Sequence, residues 1–583
     1  MKGFSQLRVK SAVRARNLID LSADHLTTSQ FGQIQPLKAI ETIPGGEYPI
    51  NGSFFSRLAP LVEPTYGKFK FNVLYGFVPY CQIAYDADSW LIGKTSWEGQ
   101  TPLHRYFTIE DLHNFIVNNC STGTGATSSN CDYSYIGVGG TVGYRIFTDA
   151  GKYFVKVLNS LGYSCPQGVD LQTTSSWYTK VRNYKLSAYP LLAFFKLYND
   201  YMTQSQRFNT SVLSDFLLKV KYNKQVSGYT YSTGQLSSFG IYTMFQWLYL
   251  NYDNDYFTSA WMNPNTPLAS SESVNMAFVP ENAGDAVGNT TGDNFLMTGI
   301  QSGTAYIGQR SLDFLQRFDN WVRRNSYSGS RSVQQMFSRF GIKSDDYKSH
   351  YAHVLKVDSF PVQVGDITST SDTTGASLGD YAGKGIMSGD SGVSYKASDT
   401  GLLIALGWYS VIPMNPYGFD RMVLRNQPLD YYTPEFDGLG ADAIPVMEYF
   451  ENSAIGTGST LGTDVFGFTE RYNSYRYGRD NITGDFRAMH FVSGDMNSWH
   501  TGRNMTAIRA GGNLVAQSSS VNTMPQYGSE YNRIFNVTNG SVDTFFLTCH
   551  FDIKATLPIM NLNQVVRLGE GDTILPRNGD VIS

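Results

Sequence analysis

From residue 68 to residue 77 the chain alternates. Phe69, Phe71, Val73, Tyr75 and Phe77 share one side, and Lys68, Lys70, Asn72 and Gly76 share the other. Leu74 is the one break in the pattern. A period of two held over this length predicts a β-strand with one buried face. Upstream, a β-prone run at 40–43 passes through Pro44-Gly45-Gly46 into a second run at 50–58. That order predicts two strands joined by a tight turn. Near the other end, Phe545, Leu547, Cys549, Phe551 and Ile553 alternate with Thr548, His550, Asp552 and Lys554. Residues 402–411 (LLIALGWYSV) are apolar nearly throughout and predict a buried strand, and 362–367 alternates again.

Between these strands the period lengthens. Thr108 followed by Glu110 and Asp111 predicts a capped helix start, with Leu112, Phe115 and Ile116 at helical spacing. Residues 149–161 place Tyr153, Phe154, Val157, Leu158 and Leu161 on one helical face. Residues 188–201 are apolar nearly all round, which predicts a helix packed inside, with Pro190 in its first turn where proline is tolerated. Leu312, Leu315, Phe318 and Val322 mark a further helix, and 333–340 another. Residues 85–100, the Ser/Thr/Gly-rich 121–130, and 262–305 read as loops, while 203–250 is Tyr-rich without a clear period. Strong strands at both ends point to one β-domain whose loops carry large insertions.

Composition sharpens this picture. Aromatic residues make up 14% of the 583 positions and charged residues only 16%. A fully solvated surface carries more charge, so much of this one is expected to meet other subunits. Net charge is −4, which excludes bulk electrostatic binding of nucleic acid. The first nineteen residues run against that balance. Lys2, Arg8, Lys10, Arg14 and Arg16 stand there without an acid, as a frayed terminus or as a basic arm on phosphates. No apolar run follows them, so no signal peptide is expected, and no apolar stretch is long enough for a membrane span. The five cysteines contain no CxxC, which argues against a metal site and for a reducing compartment. Only Cys120 and Cys131, which flank a loop, invite pairing.

Catalytic patterns are absent. There is no GxGxxG after a strand, no P-loop, no HExxH and no GxSxG. Gly137-Val138-Gly139-Gly140 and Ala510-Gly511-Gly512 read as tight turns. His350 and His353 have helical ligand spacing but no third ligand near. His490 and His500, with Asp485 and Asp495, read as structural hydrogen-bonding groups. Asp253 with Asp255, and Asp430 with Glu435 and Asp437, read as turn acids that an oxygen-seeking cation would also suit. No cofactor, no metal and no enzymatic activity are expected.

One block ties these features together. Residues 468–503 read FTERYNSYRYGRDNITGDFRAMHFVSGDMNSWHTGR. This resembles the hallmark segment of microvirus major capsid proteins, in a divergent gokushovirus-like branch. The matching positions are Glu470-Arg471, Arg476-Tyr477, Phe486-Arg487 after Gly484, and Trp499-His500 after Asp495. Upstream the resemblance continues at Pro434, Phe436 and Leu439-Gly440, at Tyr256-Phe257, at 188–201 and at 340–342. It reaches the opening strands at Pro44-Gly45, at Phe55 to Leu58 with Arg57, and at Phe77-Val78-Pro79. Gly46 and Gly76 depart from the family pattern.

The resemblance implies a mainly β fold: an eight-stranded antiparallel jelly roll of viral capsid type, with long loop insertions containing several helices. It implies an interior-facing basic N-terminal arm at 1–30 and a single capsid domain at 31–583. The insertion-rich region would be about 85–350, with a surface protrusion within 203–305. The implied function is a T=1 icosahedral shell of about sixty subunits, built through pentamers around circular single-stranded DNA. A small basic packaging protein and a host surface receptor are implied partners. The protein would reside in the virion, after assembly in the host bacterial cytoplasm. Two rivals stand beside this reading: a β-sandwich cell-surface or glycan-binding module, whose Tyr and Trp would stack on sugars, and a cupin-like enzyme, for which clustered His and Glu ligands are missing.

Overall fold

The computed structural model describes residues 16–94, 101–202, 211–224, 231–232, 234–236, 255–257, 259–260, 317, 351–365, 384–412, 414–415, 418–437, 441–449, 465–487, 496–502, 531–537 and 542–559. Ten strands carry the architecture: β1 (Asn17–Asp20), β2 (Ala23–Ser29), β3 (Gln35–Thr42), β4 (Glu47–Leu58), β5 (Phe69–Pro79), β6 (His353–Pro361), β7 (Gln363–Gly365), β8 (Lys384–Lys396), β9 (Gly401–Val411) and β10 (Phe545–Leu557). One sheet runs β1-β10-β4-β8-β7, with β2 also on β10, and the other runs β6-β5-β9-β3.

The pairings are nested. β2 pairs with β10, β3 with β9, β4 with β8, and β5 with β6, all antiparallel. One long hairpin ribbon is thus rolled so that alternate pairs fall into opposite sheets. Contacts of β10 with β4 and of β9 with β5 close each sheet. This nest of eight is the strand order of a jelly roll. The β-rich antiparallel fold expected from the strand periods and from the resemblance is therefore present.

Residue patterning explains which faces meet. β4 and β10 alternate between buried and outward positions along their whole length. Their inward side chains, Tyr48, Ile50, Phe54, Phe551 and Ile553 among them, pack against Phe71, Tyr75, Phe77 and Leu403 of the second sheet. Tyr409 spans the gap: its ring stacks on Phe545 with centroids 4.0 Å apart, and its hydroxyl donates to Ser56 at 2.6 Å.

The two central strands of the second sheet have no free face. Every residue of β9 is buried, and on β5 only Lys70 is partly exposed. The sheet's outer side meets α2 (Asp149–Ser160) and α3 (Tyr189–Tyr201), and α1 (Ile109–Phe115) and α4 (Ser211–Lys221) join the same buried cluster. Leu74, the break in the alternation, packs with Val78, Ile404 and Trp408 into this helical layer. Gly76 lets α3 come close, since a Cβ there would stand 2.7 Å from both methyls of Leu197. Lys156 of α2 fastens the layer to the roll through Asp543 at 2.8 Å and Gln33 at 3.0 Å.

Local signals behave as their chemistry dictates. Thr108 and Asp111 form a reciprocal capping box on α1, with bonds of 2.8 and 3.1 Å. Gly45 turns the chain between β3 and β4 at φ +81°, where glycine is at ease. Several expectations change. Within the supposed arm at 1–30, β1 and β2 already belong to the sheet, and residues 1–15 lie outside the described residues. Ala87–Leu91 is a short helix inside the supposed loop 85–100, and α4 occupies part of 203–250. Ser121–Thr122 forms a short strand. Cys120 and Cys131 are both free thiols, Cys120 buried, in line with the reading against a disulfide. Apart from residue 317, which is helical, the helices expected near 312–322 and 333–340, and the loop 262–305, fall outside the described residues.

Candidate functional site

Chemistry-bearing side chains do not converge on a reacting centre. Among the described residues no group of three or more His, Cys, Asp or Glu is placed to hold a metal ion. His353 opens β6 rather than a helix and lies edge-on to Phe77, with centroids 5.7 Å apart. His350, His490, Asp253 and Asp495 lie outside the described residues. Asp255 accepts the Phe257 N–H at 3.1 Å, and Asp430 accepts those of Asn426 and Gln427 at 3.1 and 2.9 Å. These acids shape turns. Glu435 and Asp485 each sit in a single 3₁₀ turn. No described helix is long and apolar enough to cross a membrane.

The residues of the hallmark blocks instead build three small platforms. In the first, Tyr256 stacks on Tyr477, with centroids 4.7 Å apart and planes 11° apart, while Phe257 packs on Tyr449 at 5.1 Å. The Tyr256 hydroxyl bonds Glu448, and burial pushes this phenol up. Burial likewise raises Glu448 above the ordinary carboxylate range, against the pull of Arg421 at 3.4 Å.

The second platform grows from a hairpin of Ala441–Pro445 and Val465–Glu470. Arg476 bridges Glu470 at 3.0 Å and Asp437 at 3.4 Å. Arg471 lies over the rings of Phe436 and Tyr472, 5.0 and 5.2 Å from their centroids. Tyr472 itself takes a left-handed φ of +62°, unusual for a bulky residue. Its N–H donates to Asp442 at 2.9 Å, which holds the turn.

The third gathers Tyr66, Phe486 and Trp499, with centroids 5.9–6.2 Å apart. His500 donates from Nε2 to the Phe486 carbonyl at 2.6 Å and accepts the Gly502 N–H on Nδ1 at 3.0 Å. That neutral tautomer leaves no ring nitrogen for a metal or a proton transfer. The Arg487 N–H closes the turn onto Gly484 at 3.0 Å. In the opening region Pro44-Gly45 makes the β3–β4 turn, Arg57 lies 5.5 Å over the Phe55 ring, and Pro79 ends β5. Of the basic positions, Arg16 pairs with Glu47 at 3.4 Å; Lys2, Arg8, Lys10 and Arg14 lie outside the described residues.

All three platforms fix the conformation of irregular chain beyond the strands. They resemble packing for a rigid wall. The sequence model of the family described as "Capsid protein (F protein)" matches residues 159–564. The chain belongs to this capsid family. "Capsid protein VP1" of Chlamydia phage 1 is 22% identical over 560 residues, covering 88% of this chain and 91% of the relative. "Capsid protein VP1" of Bdellovibrio phage phiMH2K is 20% identical over 576 residues, covering 89% and 92%. The resemblance to microvirus capsid proteins read from the motifs is thereby borne out.

Sequence reasoning missed two things in this capsid-family chain. It did not anticipate Glu448, whose burial beside Tyr256 has no local signature. It also did not find the outward apolar positions Leu26, Ile386 and Phe546, which lie on the free face of the first sheet.

Proposed function

We propose that the chain is the major subunit of a small T=1 icosahedral shell enclosing circular single-stranded DNA. It acts by assembly and performs no catalysis. The match to the capsid family over residues 159–564 carries the reading. A wall of two bonded sheets, one backed by helices, suits a subunit that must hold its shape while irregular loops meet its neighbours. About sixty copies would close the shell through pentamers. Host attachment would fall to a protrusion within 203–305, inside the insertion of about 85–350 that separates β5 from β6. With a net charge of −4 the subunit cannot neutralise a genome by itself. Residues 1–15 and a separate small basic packaging protein would supply the cations. The protein would assemble in the bacterial cytoplasm and end in the virion.

Negative-stain electron microscopy with light scattering on the expressed chain tests this. Closed shells or pentamers are expected. A stable monomer that binds a glycan array would refute it in favour of the rival sandwich. Deleting residues 1–16 is expected to lower DNA retention while shells still form; unchanged retention would make the segment an ordinary terminus.

A further inference from the structure

Among the described residues nothing covers one broad face of the first sheet. Its outward positions fall into cross-strand rows. One row runs Thr28, Phe546, Arg57, Ile386, and the next runs Leu26, Thr548, Phe55, Ser388. All four apolar members are open to solvent: Phe55 39%, Phe546 46%, Ile386 51% and Leu26 80%. Phe55 and Phe546 sit on adjacent strands, one diagonal step apart. Arg57 lies 5.5 Å over the Phe55 ring, and among the described residues no carboxylate pairs with it. Arg57 is also the one charged residue in these two rows; the other positions are Thr or Ser.

We infer that this face stacks the bases of single-stranded DNA, with Phe55, Phe546 and Arg57 as the contact surface. The inference rests on the shell reading above and names the surface that would meet its cargo. Two phenyl rings and a guanidinium plane on neighbouring strands offer π-faces to any base, which is how sheets bind single strands without reading sequence. Hydroxyl side chains around them can reach base edges or phosphates. The face itself is poor in cations, so phosphate attraction must come from beside it. Residues 1–19 hold five basic residues and no acid, and they lead into β1 at the edge of this same sheet. Arg16 already rests on Glu47 of β4. On the other sheet helices cover the outer side of β5 and β9, and exposed positions are confined to the edge strands β3 and β6. Stacking on the sheet and charge on the segment therefore divide the work.

Fluorescence anisotropy of labelled oligo(dT) with the full chain, across a salt series, tests this. The double variant Phe55→Ala/Phe546→Ala is expected to bind about ten-fold more weakly or worse, with an unchanged salt slope. Phe55→Tyr/Phe546→Tyr should restore binding. Removing residues 2–14 should instead flatten the salt slope. Unchanged affinity in the alanine double variant would overturn the inference. So would normal oligonucleotide binding with failed assembly, which would make the face a contact between copies. If the wild-type chain forms no shells yet the ring variants still lose oligonucleotide binding, the shell reading falls and the binding face stands.

Discussion

Arg105 offers the sharpest test of how the helical layer is held. It is fully buried, and its guanidinium lies 3.0 and 3.3 Å from the two oxygens of Asp86. The closer contact is ionic rather than an aligned hydrogen bond. The other donors are spent on backbone: Val220 at 3.0 Å, Leu103 at 2.5 Å and Lys221 at 3.1 Å. Val220 and Lys221 end α4, so Arg105 adds a second donor at the helix end, beside the Asn223 N–H on Val220 at 3.3 Å and the Tyr85 N–H on Lys221 at 3.2 Å. Arg105→Met keeps most of the volume and removes every donor. It leaves the buried Asp86 carboxylate without its counter-charge, and takes one donor from each of three carbonyls, which costs about 3–5 kcal/mol. Asp86→Leu with Arg105→Met removes both charges, and well-packed apolar replacements of an ion pair are often neutral. The double variant should therefore recover part of the loss. The Leu103 carbonyl still lacks the Arg105 donor and the Leu103 N–H loses Asp86, so recovery stays incomplete. Urea denaturation with hydrogen exchange at the α4 amides measures both. A single variant costing under about 1 kcal/mol, or a double variant no better than the single, would refute this account.

Two further outcomes follow from packing and burial. Gly76→Ala should destabilise by about 1–3 kcal/mol through overpacking against Leu197, and pairing it with Leu197→Ala should give a loss smaller than the sum in denaturant melts. His113 is buried against Tyr133 at 2.7 Å, and burial, with Arg145 near, pulls it down to about 4. The unfolded chain then binds the extra proton below the ordinary histidine value, so stability is full above that value and falls as pH drops toward 4, by up to about 1.4 kcal/mol per unit. A His113→Gln variant should show a shallower fall in urea midpoints over that range; parallel curves would contradict the assignment.

Element existence was legible where period and caps were strong. The strands at 69–79, 401–411 and 545–557, the helices at 149–160 and 189–201, and the Thr108 cap all follow from local pattern. Their pairing was not. Ser29 meets Phe545 across more than five hundred residues, and periodicity carries no information about partners so distant. Resemblance alone implied the roll. The hallmark residues were nameable for the same reason, yet the residues that complete their platforms were not. Tyr66 reaches Trp499, Glu448 reaches Tyr256, and Arg533 donates to the carbonyls of His500 and Gly502. Each is an ordinary side chain in its own neighbourhood.

The breaks in alternation hold the most recoverable information. Leu74 sits on the side of β5 that should be polar, and it is buried because helices between β5 and β6 cover that side. β4 and β10 break the rule in the same way, with the doublets Phe54-Phe55 and Phe545-Phe546. Successive strand residues point to opposite faces, so each doublet must send one ring into the core and one outward. The structure does this: Phe54 and Phe545 are buried, while Phe55 and Phe546 are exposed. Identical local patterns thus mark a covered face in one sheet and an open face in the other. What separates them is the placement of the inserted helices. An apolar residue out of phase reports a second surface that needs a partner. In β5 that partner is the chain's own helical layer. In β4 and β10 no described helix covers the second ring, and the paired rings with Arg57 present a planar, aromatic surface.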